Sequence, residues 1–221
     1  MDSAAAPAPS LVGHDFFDRV RGRLRLEVPD ALHDLAAPAT RGDLDQDPEL
    51  WTRAGVTATR PAAVLVPVVD RPDPTVLLTQ RTAELASHAG QVAFPGGKID
   101  PSDATPAAAA MREAEEEIGL EHGFIEPIGY LDLYLTFSGF RVLPTVARVA
   151  PEYRLTINPA EVADAFEVPL AFLMDAQNHA LHSRDWKGIT RRYYAMPFGE
   201  RYIWGVTAGI LRNLYERIYA T

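Results

Sequence analysis

Four glutamates and one arginine fall within six consecutive residues, Arg112-Glu113-Ala114-Glu115-Glu116-Glu117. On a helix, Glu113, Glu116 and Glu117 stand at i, i+3 and i+4 and share one face. Like charges at those spacings weaken a helix by roughly 0.2–0.5 kcal/mol per pair. Near the helix C-terminus a carboxylate also meets the negative end of the macrodipole, at a cost of about 0.3–1 kcal/mol. A helix selected for stability alone would carry acids in its first turn and bases in its last. This pattern does the reverse, with Arg112 as the one cation inside the cluster. A hard divalent cation with oxygen ligands, Mg²⁺ or Mn²⁺, offsets such a charge and bridges to phosphate oxygens. A bare acidic run fits a solvated helix face equally well, so the flanking residues decide.

The helix carrying the cluster is expected to start near Thr105, a good N-cap, with Pro106 suited to the first helical position. Gly119 suits the left-handed residue that ends a helix, and Leu120 the apolar contact beside it. Upstream, Pro95-Gly96-Gly97 reads as a turn whose backbone approaches a ligand or another element closely. The β-branched run Ala62–Val69 reads as a buried strand, Asp70–Pro74 as a turn and Thr75–Arg81 as the return strand. Gln91–Phe94 reads as a short strand. Tyr130–Phe137 alternates as one strand, Ser138-Gly139 turns, and Phe140–Val149 returns with Pro144 marking an edge or a bulge. A helical turn over Pro159–Ala165, a strand or loop at Glu167–Leu170 and a final amphipathic helix over Ile203–Tyr219 follow. At the front, residues 1–12 read as a flexible tail, His14–Leu26 as a helix and 27–59 as mostly loop.

The chain has 221 residues, 47% of them apolar, enough for one sizeable core. A net charge of -9 supplies no basic field for nucleic acid. There is no cysteine, which rules out disulfides, thiolate metal sites and cysteine nucleophiles. The Ala/Pro-rich start lacks a basic segment before an apolar one, and the apolar stretches are too short to span a bilayer. The reading is a soluble cytoplasmic protein with no membrane or nucleic-acid partner; the oligomeric state is open, a homodimer included.

Gly97 through Leu120, GKIDPSDATPAAAAMREAEEEIGL, resembles the Nudix box: a Gly, a loop Glu, then Arg-Glu-U-x-Glu-Glu-x-Gly-U, where U is bulky and aliphatic. The loop is one residue longer than the general pattern, Asp103 stands near the place of the loop Glu, and Ala114 replaces the larger apolar residue. The longer loop resembles the branch of the family that cleaves coenzyme A. That branch carries an upstream signature matched by Leu77, Leu78, Thr79, Thr82, Gly90 and Phe94–Gly97, with Ala86 where the signature has Arg. The segments YLTFSGFRVLP, NPAEVADAFEVPLAFL and IWGVTAGIL extend the likeness over roughly residues 60–215.

The resemblance implies an α+β Nudix fold, a mixed sheet between helices, over residues 59–221, with 13–58 as a helical extension packed on it. It implies a small-molecule nucleotide substrate and hydrolysis of a diphosphate bond. Glu113 and Glu117 would be the principal ligands of Mg²⁺ or Mn²⁺, with the Gly97 carbonyl facing the metal. Glu116 would be a further ligand or would orient the water, and Arg112 would fix a glutamate rotamer. Glu161 is the candidate base, or else merely decorates a short helix. Arg81, His88, Gly96 and Lys98 are candidate substrate contacts, His88 with a plain loop role as its alternative. The hairpin tip Ser138–Arg141 and the aromatics Tyr193, Tyr194 and Trp204 fit either the substrate pocket or the core. Coenzyme A and its acyl or oxidised forms are the first substrate reading. Another nucleoside diphosphate derivative, such as ADP-ribose or a dinucleotide, is the second, and a non-catalytic ligand sensor the third.

Overall fold

The structure, a computed structural model, describes residues 13–35, 41–43, 45, 58–84, 88–186 and 189–220. The expected tail over 1–12 and Ala86 lie outside these. In chain order the elements are α1 (Gly13–Arg23), β1 (Arg41–Gly42), β2 (Arg60–Val69), β3 (Thr75–Arg81), β4 (Val92–Ala93), β5 (Gly96–Lys98) and α2 (Pro106–Ile118). There follow β6 (Ile125–Tyr130), β7 (Tyr134–Leu135), β8 (Phe140–Val149), β9 (Val162–Pro169), the single turn α3 (Leu170–Leu173), β10 (Ala180–Trp186), β11 (Ile189–Phe198), β12 (Arg201–Trp204) and α4 (Val206–Ile218).

The large mixed sheet runs β1-β7-β8-β2-β3-β4, with β5 on β2, β6 on β8 and β9 on β3. β2 is its axis, parallel to β8 from Arg60↔Phe140 to Val69↔Val149. Its unbroken apolar run is explained by burial on both faces. Ala62, Val66 and Val68 join α1 and α4 in one core. Ala63, Leu65 and Val69 join Ala109, Ala110, Ala114 and Ile118 of α2 in another. Ala114 is fully buried there, so the small residue lets α2 lie close on the sheet. The sheet is thus sandwiched between helices, as expected of the fold.

Several local expectations need correction. Tyr130–Phe137 is not one strand: β6 ends at Tyr130, opposite Thr145, and β7 resumes at Tyr134, opposite Val142. Pro144 therefore lies in an inner strand, not at an edge, but opposite the gap, where the Pro144 carbonyl accepts from Leu131 N at 3.0 Å and no donor is needed. Pro95-Gly96-Gly97 is not a free turn, since Gly96 and Gly97 pair with Val64 and Ala63 as strand β5. The helical turn expected over Pro159–Ala165 is a tight turn leading directly into β9, which pairs along β3. α1 stops at Arg23, and Arg25 bridges to Tyr130, which leaves Leu26 exposed. Ile203 belongs to β12 rather than to the last helix, and the three-stranded sheet β10-β11-β12 had no counterpart in the sequence reading.

Candidate active site

The acidic helix α2 is held at both ends as its sequence demands. Thr105 accepts from Ala108 N at 3.1 Å, and Pro106 follows it. Gly119 takes φ 67°, ψ 23°, and its N–H reaches the Ala114 and Glu115 carbonyls. The last carbonyls are met from outside: Asn158 N donates to Glu117 O at 2.9 Å and Thr156 N to Ile118 O at 2.8 Å. These bonds bring the 158–161 turn against the carboxylate end of the helix.

Arg112 is the hub of the cluster. Its Nε and Nη2 grip Asp103 at 3.0 Å each. Its Nη1 reaches Glu113 and Glu116 at 3.1 Å each, and Nη2 donates to Lys98 O at 3.2 Å. The Arg112 hydrogen bonds hold the Asp103 carboxyl below its usual range. Asp103 thus anchors the arginine, which in turn holds two glutamates.

Glu113 packs on the backbone of β5. A Cβ on Gly97 would lie 2.5 Å from the Glu113 Cδ, so only glycine leaves room for the carboxylate. Burial raises the Glu113 pKa, the charges of Glu116 and Glu161 add to this, and Arg112 opposes it. Glu117 is buried, with 3% exposed. Burial pushes it up to about 7; Glu113 and Glu161 push the same way, while Arg81 and the backbone of Gly96 oppose. Arg81 Nη1 stands 3.6 Å from Glu117, and its buried Nε has no hydrogen-bond partner among the described residues. Glu161 is pinned in its turn by Asn158 Nδ2 at 3.2 Å and by Thr82 N, which donates to its carbonyl at 3.1 Å. Its charge reaches both Glu113 and Glu117.

Among the described residues no three acidic or imidazole side chains converge on one point. The reason is visible: Glu113 and Glu116 lie on Arg112, and Glu117 lies on Arg81. The donors are nonetheless all oxygens, two of them on carboxylates that burial drives toward protonation. That set fits a hard divalent cation, which would relieve the same repulsion.

A cavity of about 920 Å³ opens beside this cluster. Arg81, His88, Gly96, Gly97 and Lys98 border it together. His88 holds a left-handed φ of 57° and lies 2.9 Å from Gln91 through Nδ1. Across the cavity stand Tyr193, Tyr194 and Trp204, the aromatics left open between pocket and core. The hairpin tip divides: Ser138 and Phe140 border the cavity, whereas Arg141 is buried elsewhere on the Ala31 and Ala58 carbonyls. Arg184, Arg191 and Asp43 also border it, and the sequence reading singled out none of them. Only alternation along β10 and β11 could have shown the two arginines, and Asp43 lies in a turn that carries no such signal.

An acidic, arginine-braced helix facing a strand glycine beside a nucleotide-sized cavity defines a class of hydrolase scaffold. The family pattern of the NUDIX domain matches residues 59–190, and the chain belongs to that family. It is 42% identical over 159 residues to the "Uncharacterized Nudix hydrolase NudL" of Photorhabdus laumondii, covering 72% of this chain and 85% of the relative. The protein of the same name from Escherichia coli (strain K12) is 41% identical over 72% of this chain and 83% of its own length. Among solved structures, a NUDIX hydrolase from Alicyclobacillus acidocaldarius aligns with a TM-score of 0.43 at 22% identity, over 53% of this chain and 82% of that one.

Proposed function

We propose that this Nudix hydrolase is a metal-dependent diphosphatase that cleaves coenzyme A, with its acyl or oxidised forms, into adenosine 3′,5′-bisphosphate and 4′-phosphopantetheine or its derivative. The observation that carries the diphosphatase chemistry is the pair of half-buried Glu113 and buried Glu117, set against Gly96-Gly97 at one end of the cavity. Coenzyme A as substrate rests on the Leu77–Gly97 signature and the lengthened loop of the box.

Glu113 and Glu117 hold the divalent ion, with Glu116 and the Gly97 backbone beside them. The ion supplies charge neutralisation for the diphosphate oxygens. Arg112, locked by Asp103, fixes the Glu113 and Glu116 rotamers. Arg81 sits between Glu117 and the cavity, placed to meet a phosphate oxygen. Lys98 and His88 border the same end and contact the diphosphate. Glu161 accepts the proton of the attacking water; its oxygen becomes part of one phosphomonoester as the bridging oxygen leaves with the other.

The test is a substrate panel of coenzyme A, dephospho-coenzyme A and ADP-ribose, with products identified under Mg²⁺ and Mn²⁺. Adenosine 3′,5′-bisphosphate released from coenzyme A is the expected result. Turnover of ADP-ribose with no cleavage of coenzyme A overturns the substrate assignment.

A further inference from the structure

The three-stranded sheet presents a face to the cavity that diphosphate cleavage does not use. Arg184 of β10 lies directly opposite Arg191 of β11, and residues paired in this way share one face of a sheet. Two positions along, Tyr193 shares that face with Trp204 of β12, with ring centroids 5.4 Å apart in an edge-to-face arrangement. All four border the same cavity as Arg81 and Gly97.

Like charges directly opposite each other destabilise a sheet, and the described residues offset this pair only in part: the Arg191 guanidinium lies over the Phe137 ring, 4.1 Å from its centroid, which supplies no hydrogen-bond acceptor. Arg191 has Asp43 at 3.6 Å, but that carboxylate oxygen already accepts from Phe137 N at 2.7 Å. The Nε of Arg191 is buried without a hydrogen-bond partner among the described residues. Arg184 is exposed and has no ion pair among them. Of the other cavity arginines, Arg41 and Arg212 both pair with Glu216 and Arg81 with Glu117, while Arg192, like Arg184, is exposed with no ion pair among the described residues but points from the other face of β11. In a chain of net charge -9, two neighbouring guanidiniums short of acceptors call for an anion from outside. Adjacent guanidiniums suit the oxygens of a phosphomonoester, and a Tyr–Trp pair suits the face of an aromatic base.

We infer that Arg184 and Arg191 bind a phosphomonoester on the ribose of the substrate, with its base lying against Tyr193 and Trp204. The substrate class is then a nucleoside diphosphate derivative bearing a further ribose phosphate. The inference rests on the proposed coenzyme A reading and names the part of the site that separates that molecule from its dephospho form and from ADP-ribose. β11 beyond Thr190 and all of β12 lie past the part of the chain that the family pattern matches. Arg184 lies within the matched part, whereas Arg191, Tyr193 and Trp204 lie beyond it.

The test is calorimetric titration of the full chain and of Arg184→Gln with adenosine 3′,5′-bisphosphate and with AMP, alongside coenzyme A hydrolysis by the unaltered protein. The bisphosphate should bind the unaltered protein at least about tenfold tighter than AMP, the worth of one charge-assisted contact. Arg184→Gln should remove most of that difference and leave AMP binding unchanged. Because Arg184 is exposed, the variant should fold. Equal binding of the two nucleotides, or an undiminished preference in the variant, overturns the inference. An Arg184-dependent preference without coenzyme A cleavage keeps the subsite and defeats the functional reading. Cleavage without the preference does the opposite.

Discussion

Glu117 combines three costs in one side chain: burial, two neighbouring carboxylates and a helix C-terminus. Among the described residues, Arg81 and the backbone of Gly96 oppose them. Its removal should cost roughly 10²–10³ in kcat, the scale for losing one charge-stabilising group. Mg²⁺ should raise the Tm of the unaltered protein and leave that of Glu117→Gln unmoved; a variant that keeps both activity and metal stabilisation would remove Glu117 from the site. A pH effect follows as well. This acid stands at about 7 in the fold against 4.5 ordinarily, so the folded chain holds the proton more tightly than the unfolded one. Its contribution to stability is complete below the unfolded value and is lost as pH rises from 4.5 through about 7. Metal-free protein should thus lose more urea stability between about pH 5 and about pH 8 than Glu117→Gln does. Parallel curves for the two proteins would refute this. Asp103→Asn tests the brace: Arg112 stays, its bidentate partner is weakened, and activity should fall about 10–100-fold with Tm nearly unchanged. The acidic cluster was legible from the sequence because helix geometry makes i, i+3 and i+4 neighbours. The pairing of Arg81 with Glu117 was not, since it depends on how β3 meets α2 across the sheet.

β5 shows why a motif needs its element. Gly96-Gly97 was correctly read as a place of close backbone approach, but as a turn. The structure makes it a strand bound to β2, which fixes where Gly97 meets Glu113. Gly97→Ala should therefore leave the sheet intact, because the atom it strikes is the end of a flexible side chain. Glu113 must then move, and a misplacement near 1 Å costs about 10²-fold in rate. Loss of turnover with an unchanged far-UV spectrum and Tm is the expected outcome; full activity would show that Glu113 does not depend on that glycine. Helix α2 was legible to the residue at both ends because Thr105-Pro106 and Gly119 carry their own capping chemistry. Tyr130–Phe137 misled because alternation persists through a break in pairing. β10–β12 were missed because their partners lie within one another, and their outer faces carry arginines and tyrosines rather than an apolar stripe.

At the scale of the whole molecule, the segment before the family domain is part of the same body. Phe16, Phe17, Val20 and Leu24 of α1 are buried in one core with Leu211, Leu214 and Ile218 of α4 and with β2. Arg23 Nη1 donates to the Arg217 carbonyl at 3.1 Å. Further on, β1 adds in parallel to β7, and Asp43 accepts from Phe137 N and from Tyr134 Oη, so the segment also walls the cavity. The sequence indicated a helix here from its apolar spacing and an extension packed on the domain, but not that α1 meets α4 and β2, because both partners are distant in the chain. Two descriptions of this segment make different predictions. If it were a separate attachment, truncating its core residues would melt it alone, ahead of the domain. If it completes the core, Phe16→Ala should remove roughly 3–5 kcal/mol from the whole fold. At about 2–4 °C per kcal/mol for a chain of this size, Tm should fall by roughly 6–20 °C. Far-UV circular dichroism and tryptophan fluorescence should report one shared transition in both proteins. A separate early transition in Phe16→Ala, with the main one unmoved, would show that the family domain holds its core without α1.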